Sequence, residues 1–112
     1  MMHLTADTHI LLATAPADFR QGIDGLARIC QARLSSDPRS GSLFVFINRS
    51  KTMIRTLSYD GTGFWLMTKR LSKGKFKGWP KSNESINPII AKHLRQLLTG
   101  DPQDPLWQKI SE

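Results

Sequence analysis

Cysteine is almost absent from this chain, and nothing in it has the spacing of a zinc site. Cys30 is the only cysteine, so no internal disulfide can form, and the disulfide-rich secreted class is excluded. The histidines are isolated from one another and form no HxxxH or Cys/His pair. They are His3, His9 and His93. We therefore expect a reducing cytoplasmic setting and no metal or other cofactor.

Long hydrophobic runs are also missing. The longest apolar run, Leu43 to Ile47, is far shorter than the ~20 residues that a membrane-spanning helix needs. The N-terminal segment lacks the basic region that opens a secretory signal. The apolar run from His9 to Thr14 instead has the length of a buried β-strand, so we expect a chain without a membrane partner.

Acidic residues are nearly absent from one block, Arg49 to Lys81, where Asp60 stands against nine basic residues. The rest of the chain has seven basic and eight acidic residues, so this block carries the whole net charge of +7. Concentrated positive charge interleaved with aromatic residues favours a polyanionic partner, since lysine and arginine neutralise phosphates. The alternative is an ordinary solvated face.

The first helical pattern follows the N-terminal strand. Apolar residues recur at spacings of three and four from Phe19 to Leu34, with Asp18 available as the N-cap. Gly22 and Gly25 weaken the first turns, so the pattern predicts a firm helix from about Asp24.

Three strands are predicted in the middle of the chain. Residues 43–48 (LFVFIN) form a central strand with alternate side chains on opposite faces, both at least partly covered. A hairpin loop at 48–52 leads to a strand at 53–59, and the Asp60–Gly63 turn leads to a strand at 64–71. Short loops make an antiparallel meander the most economical topology.

The C-terminal part predicts a second helix and a tail. Asn87 fits an N-cap and Pro88 the first helical position, with the helix over Ile89–Leu98 and Gly100 at its end. We predict a single α+β domain over residues 1–100, with an antiparallel sheet of three to five strands and two flanking helices. Residues 101–112 are predicted to be a C-terminal tail, with Trp107 as an anchor or the tail frayed.

Catalytic chemistry has few candidates. The acids fall mostly in caps, turns and the tail, where aspartate is common for local hydrogen-bonding reasons. A metal-dependent nuclease could use only Asp24 and Asp60, and this hypothesis ranks last. Lys73 to Lys77 could contact a nucleic-acid backbone with Phe76 as a stacking face, or Phe76 and Trp79 could tuck into the core.

Four motifs in a fixed order resemble a known family. They are D-F-R-Q-G-I-D-G-L at Asp18–Leu26, G-S-L-F-V-F-I-N-R at Gly41–Arg49, D-G-T-G-F at Asp60–Phe64, and K-R-L-S-K-G-K-F-K-G-W-P at Lys69–Pro80. Over about residues 10 to 100 the chain is similar to the accessory protein, often labelled TnpB, of insertion sequence sixty-six type elements. Gly78 is an extra residue relative to the family pattern. The resemblance implies a non-enzymatic protein that acts beside a separate DDE-type transposase, and it supplies no catalytic residues.

These observations together predict a non-catalytic accessory protein for DNA transposition with the element-encoded transposase as a partner. It would bind DNA or a transposase–DNA complex through a basic surface formed by Arg49, Lys51, Arg55, Lys69, Arg70, Lys73, Lys75 and Lys77. The alternative is a protein–protein adaptor that docks on the transposase, or on another element-encoded protein, through an exposed sheet edge.

Overall fold

A five-stranded sheet with one helix on each face makes up the part of the chain that the computed structural model describes, namely residue 5 and residues 7–99. The elements in chain order are β1 (Ile10–Ala13), α1 (Ile23–Ala32), β2 (Leu43–Ile47), β3 (Met53–Tyr59), β4 (Phe64–Arg70), β5 (Ile86–Ile89) and α2 (Ala91–Leu98). The strand order is β4-β3-β2-β1-β5. The predicted α+β class with two flanking helices is confirmed.

The sheet is mixed rather than wholly antiparallel. β1 and β2 pair in parallel, with Ile10 opposite Leu43, whereas the β2–β3, β3–β4 and β1–β5 pairs are antiparallel. A parallel neighbour needs a crossover connection, and α1 supplies it. The predicted meander is confirmed for β2, β3 and β4, and the predicted bounds of β3 are those observed.

Strand β2 lies at the centre of the sheet and is buried on both faces. Phe44 and Phe46 pack with the buried residues of α1, among them Leu26. Val45 and Ile47 pack on the other face with residues of α2. The predicted alternation of side chains is confirmed, and it divides the core into two clusters, each closed by one helix.

Helix α1 begins later than the apolar pattern alone suggests. Its N-cap is Gly22, which makes no side-chain capping bond, and the firm helix near Asp24 is confirmed. Asp18 as N-cap is wrong, because its carboxylate accepts hydrogen bonds from the backbone and the guanidinium of Arg20 instead. These bonds order the turn at residues 19–20 that leads into α1.

The start of the second helix is also corrected. Residues 86–89 form β5, which pairs with β1 so that Leu11 faces Pro88 and Leu12 faces Asn87. The N-cap of α2 is Ile90, so Asn87 as N-cap and Pro88 as first helical residue are wrong. Proline is tolerated on an edge strand, where half of the backbone N–H groups face away from the sheet. The pairing with β1 therefore overrides the local helix-start signal.

The predicted tail at 101–112, its anchor Trp107 and the end of α2 at Gly100 lie outside the described residues. Within the described part of the chain, neither helix has the length and apolar character needed to cross a membrane.

A hydroxyl without a partner in the core gives a test of the packing. Thr56 is 3% exposed, and its Oγ1 accepts or donates no hydrogen bond in the described structure. We predict that Thr56→Val raises the free energy of unfolding by about 1 kcal/mol, because the desolvated hydroxyl is replaced by a methyl group of the same shape. Urea denaturation measures this change.

Thr68 on the neighbouring strand is the matched control. Its Oγ1 accepts a hydrogen bond from Arg55 Nε at 3.1 Å. Because Thr68 is exposed, Thr68→Val should lower the free energy of unfolding, by up to about 0.5 kcal/mol. Equal effects of the two substitutions would contradict this account of Thr56.

Candidate nucleic-acid interface

The strand directions gather three loops at one end of the sheet. β1, β2 and β4 finish there, and β3 and β5 begin there. The loops that leave this end are residues 14–22, 48–52 and 71–85. We call the surface of residues 48–52 and 70–77 the basic end. The Asp60–Gly63 turn, which joins β3 to β4, lies at the opposite end of the sheet.

Backbone hydrogen bonds hold the two segments of the basic end together. Leu71 N donates to Thr52 O at 3.0 Å, and Phe76 N donates to Lys51 O at 2.8 Å. The hairpin loop is itself ordered by Asn48, whose Oδ1 accepts from Thr52 N at 2.9 Å and from Met53 N at 3.1 Å. Six of the predicted contact residues thereby belong to one exposed surface: Arg49, Lys51, Arg70, Lys73, Lys75 and Lys77.

The aromatic residues of the 71–80 segment anchor this segment to the core on the α2 side of the sheet. Phe76 is 2% exposed and packs with the α2-side core, so the interpretation in which it tucks into the core is confirmed and its use as a stacking face is wrong. Trp79 packs against the same core, and its Nε1 donates to Ala13 O at 3.1 Å. Gly74 takes a positive φ of 79°, which favours glycine, so the lysines at 73 and 75 flank a tight turn.

Arg55 is engaged within the protein. Its Nη1 donates to Phe19 O at 2.7 Å and to Gln21 O at 3.3 Å, and its guanidinium lies 4.9 Å from the centroid of the Phe19 ring. The Nε bond to Thr68 completes these contacts. Arg55 thus fastens the approach to α1 onto β3 and β4.

Lys69 also has an internal contact. Its Nζ donates to the backbone carbonyl of Leu98, the last residue of α2. A cation at a helix C-terminus is stabilised by the carbonyls that have no partner within the helix. Lys69 therefore links β4 to α2, whereas its neighbour Arg70 is exposed and belongs to the basic end.

A groove of about 620 Å³ lies beside the hairpin loop, between the 17–20 segment and the start of β3. Its lining combines charged, polar and apolar residues: Ala17, Asp18, Phe19, Arg20, Asn48, Arg49, Ser50, Met53 and Arg55. We call it the arginine groove. Its three arginines against one aspartate leave a net charge of +2.

Asp18 and Arg20 form an ion pair at the rim of the arginine groove, with Arg20 Nη2 2.8 Å from Asp18 Oδ2. The side-chain and backbone hydrogen bonds from Arg20 lower the pKa of Asp18 to about 2, and the nearby charge of Arg49 acts in the same direction. Asp18 is therefore ionised at neutral pH and holds Arg20 in place. Asp18, Phe19 and Arg20 were not predicted as site residues. The sequence signal for these residues was the D-F-R motif. That this motif lies beside the N-R motif at Asn48–Arg49 is visible only in the folded chain.

The two acids considered for a nuclease, Asp24 and Asp60, lie in different parts of the fold, and Asp60 is occupied by hydrogen bonds within its turn. Asp60 Oδ1 accepts from Thr62 N and Gly63 N, and its Oδ2 accepts from Trp65 Nε1 at 2.8 Å. These bonds lower the pKa of Asp60 to about 2 and fix the β3–β4 turn. Asp24 lies in the first turn of α1. Among the described residues, no group of three or more metal-ligating side chains occurs.

Comparisons with known proteins give one family model and two relatives. The family model described as IS66 Orf2 like protein matches residues 8–106. The "Uncharacterized protein y4hO" of Sinorhizobium fredii (strain NBRC 101917 / NGR234) is 36% identical over 94 residues, which are 84% of this chain and 81% of that protein. The "Uncharacterized protein y4jC" of the same strain is 42% identical over 67 residues, 60% of this chain and 57% of that protein. No solved structure matches the chain.

A comparison of two arginine substitutions separates the effect of the Arg55 hydrogen bonds on stability from the effect of removing a positive charge. We predict that Arg55→Met lowers the free energy of unfolding by about 2 kcal/mol, because two backbone carbonyls lose a charged donor. Urea denaturation measures the change. Arg49→Met removes the same charge from an exposed position and should change stability by less than about 0.5 kcal/mol. A small and equal effect of both substitutions would show that the Arg55 contacts contribute nothing.

Proposed function

The chain belongs to the IS66 Orf2-like family, which supports an accessory role in transposition, and we propose that it acts there as a non-catalytic DNA-binding protein. The basic end is the proposed contact surface, for element DNA alone or in a complex with the transposase.

The observation that carries this proposal is the clustering of uncommitted cations. The side chains of Arg49, Lys51, Arg70, Lys73 and Lys75 are exposed and make no hydrogen bond or ion pair with another described residue. Hydrogen bonds between residues 51–52 and 71–76 hold these cations in one neighbourhood. Asp60, the single acid of the 49–81 block, lies at the other end of the sheet. This segregation leaves a surface suited to a polyanion.

Contacts of this kind address the phosphate backbone rather than the base edges. Lysine side chains in a loop neutralise phosphates and carry no sequence information. Arg55 and Lys69 support the surface through the bonds to the 19–21 segment and to α2, so the proposed phosphate contacts are the other basic residues of the predicted set. Binding should therefore be salt-sensitive and weakly sequence-selective, and any choice of element ends would come from the transposase.

A salt titration tests the proposal. We expect the triple variant Lys51→Gln, Lys73→Gln, Lys75→Gln to bind an element-end duplex more weakly than the natural protein. The slope of log K against log salt concentration should become shallower by about 3, since each lost phosphate contact removes about 0.9 from it. Fluorescence anisotropy at several salt concentrations gives both quantities.

The matched control removes three charges elsewhere. Arg28 and Lys92 lie on the exposed sides of α1 and α2, and Arg33 is the exposed C-cap of α1. The variant Arg28→Gln, Arg33→Gln, Lys92→Gln should keep most of the slope. If both triple variants lowered the slope equally, or if the natural protein did not bind DNA at low salt, the basic end would not be the contact surface.

The adaptor function is the second candidate, and the edge of the sheet favours it. β4 pairs only with β3, so one side of its seven-residue backbone has no strand partner within the described structure. Trp65, at 61% exposure, is a large apolar side chain on that strand. An unpaired strand edge with an exposed aromatic residue is suited to strand addition by another protein.

Pull-down of the transposase, and of any other element-encoded protein, after nuclease treatment distinguishes the two candidates. A complex that survives nuclease and is lost in Trp65→Arg favours the adaptor. A complex that nuclease removes, and that the Lys51, Lys73 and Lys75 triple variant also weakens, favours DNA binding.

A further inference from the structure

We propose that the arginine groove binds one unpaired nucleotide of DNA, with the phosphate on Arg49 and Arg20 and the base on the Arg55–Phe19 stack. This inference rests on the proposed DNA-binding function and assigns it a specific substrate form: DNA with an unpaired strand at or near the contact.

Donors for a phosphate are available in the groove. The Arg49 guanidinium makes no hydrogen bond to a described residue, so all of its N–H groups can be used. Arg20 uses its Nε and Nη2 on Asp18, which leaves Nη1. The Asp18 carboxylate is 52% exposed, but it is paired with Arg20, and the three arginines of the groove leave a net positive charge for an incoming anion. Guanidinium groups with free N–H donors suit the oxygens of a phosphate.

A planar surface for a base lies in the same groove. Three bonds to Phe19 O, Gln21 O and Thr68 Oγ1 fix the Arg55 guanidinium over the Phe19 ring. None of these bonds uses Arg55 Nη2, so within the described part of the chain this edge of the guanidinium is open to a ligand. Nucleic-acid bases stack on arginine planes and aromatic rings regardless of base identity. Met53 and Ala17 add apolar wall to the groove.

The size and position of the groove favour a nucleotide over other anions. A lone phosphate would leave most of the 620 Å³ unfilled and the apolar wall unused. A paired base is stacked on both sides and cannot enter a groove, whereas an unpaired base can. Arg49 belongs both to the groove and to the basic end, so a strand seated in the groove continues onto a surface for further phosphates. A single acidic side chain of a peptide would fill the anion site but would supply no further phosphates for the basic end.

The first test compares three DNAs by fluorescence anisotropy. One is a blunt duplex, and the other two are the same duplex with a short thymidine overhang at the 3′ end or at the 5′ end. We expect the natural protein to bind one of the overhang forms about tenfold more tightly than the blunt form, the scale of one stacked base. Arg49→Gln should reduce this ratio to about one.

Arg70→Gln is the matched control, since Arg70 lies at the basic end but does not line the groove. It should weaken binding of blunt and overhang DNA by the same factor and keep their ratio. A ratio of one in the natural protein overturns the inference, and so does a ratio that falls equally in both variants.

The second test needs no duplex binding. In a two-dimensional NMR titration, thymidine 5′-phosphate should shift the backbone signals of Phe19, Arg20 and Ser50, and inorganic phosphate at the same concentration should shift them much less. Equal shifts from both would mean a simple anion site and overturn the nucleotide assignment, as would binding of a glutamate-rich peptide in place of the nucleotide. If thymidine 5′-phosphate shifted the NMR signals of the groove but the protein did not bind duplex DNA, only the proposed DNA binding by the basic end would be overturned. If the protein bound duplex DNA but the groove signals did not shift, only the nucleotide site in the arginine groove would be overturned.

Discussion

Burial of β2 on both faces is the constraint on which the rest of the structure depends. A strand of alternating apolar residues at the centre of a sheet exposes two hydrophobic faces, and each must be covered. α1 covers the face of Phe44 and Phe46, and α2 covers the face of Val45 and Ile47. The crossover through α1 makes β1 parallel to β2, and the meander fixes β3 and β4. The loops at the basic end follow from these directions.

The basic end is a consequence of that topology combined with internal anchoring. The lysine-rich segment after β4 returns to the hairpin loop because Phe76 is buried and its backbone N–H bonds to Lys51 O. Two basic residues of the same block, Arg55 and Lys69, hold the 19–21 segment and α2 in place instead of adding open charge. Like charges can lie close together here because the backbone bonds and the core oppose their repulsion, and a polyanion would relieve it.

The arginine groove joins two parts of the chain that are distant in sequence. Asp18 positions Arg20, the Phe19 carbonyl positions Arg55, and the ordered hairpin positions Arg49. Arg20 and Arg55 are therefore held by side-chain contacts, and Arg49 is placed by the backbone of its loop. Membership in the IS66 Orf2-like family gives the biological setting, transposition, and the groove and basic end give the surfaces through which a role in it can be tested.

The sequence by itself determined the elements whose signals are local. Alternation in 43–47 predicted a strand with two buried faces, the Asp60–Gly63 turn predicted the β3–β4 hairpin, and four ordered motifs identified the family. The charge of the 49–81 block was equally visible. The helix start predicted at Asn87 and Pro88 was wrong. The local preference of these residues for a helix start stabilises the chain less than strand pairing with β1 does, and no local pattern reveals that pairing.

Only the tertiary structure decided which basic residues remain open and which other residues meet them. Arg55 bonds to the carbonyls of Phe19 and Gln21 rather than facing solvent, and these residues lie more than 30 positions from it along the chain. Composition reports how many charges a segment carries. The position of each charge relative to carbonyls, acids and neighbouring loops is set by long-range packing, because hydrogen bonds and burial act through space rather than along the sequence.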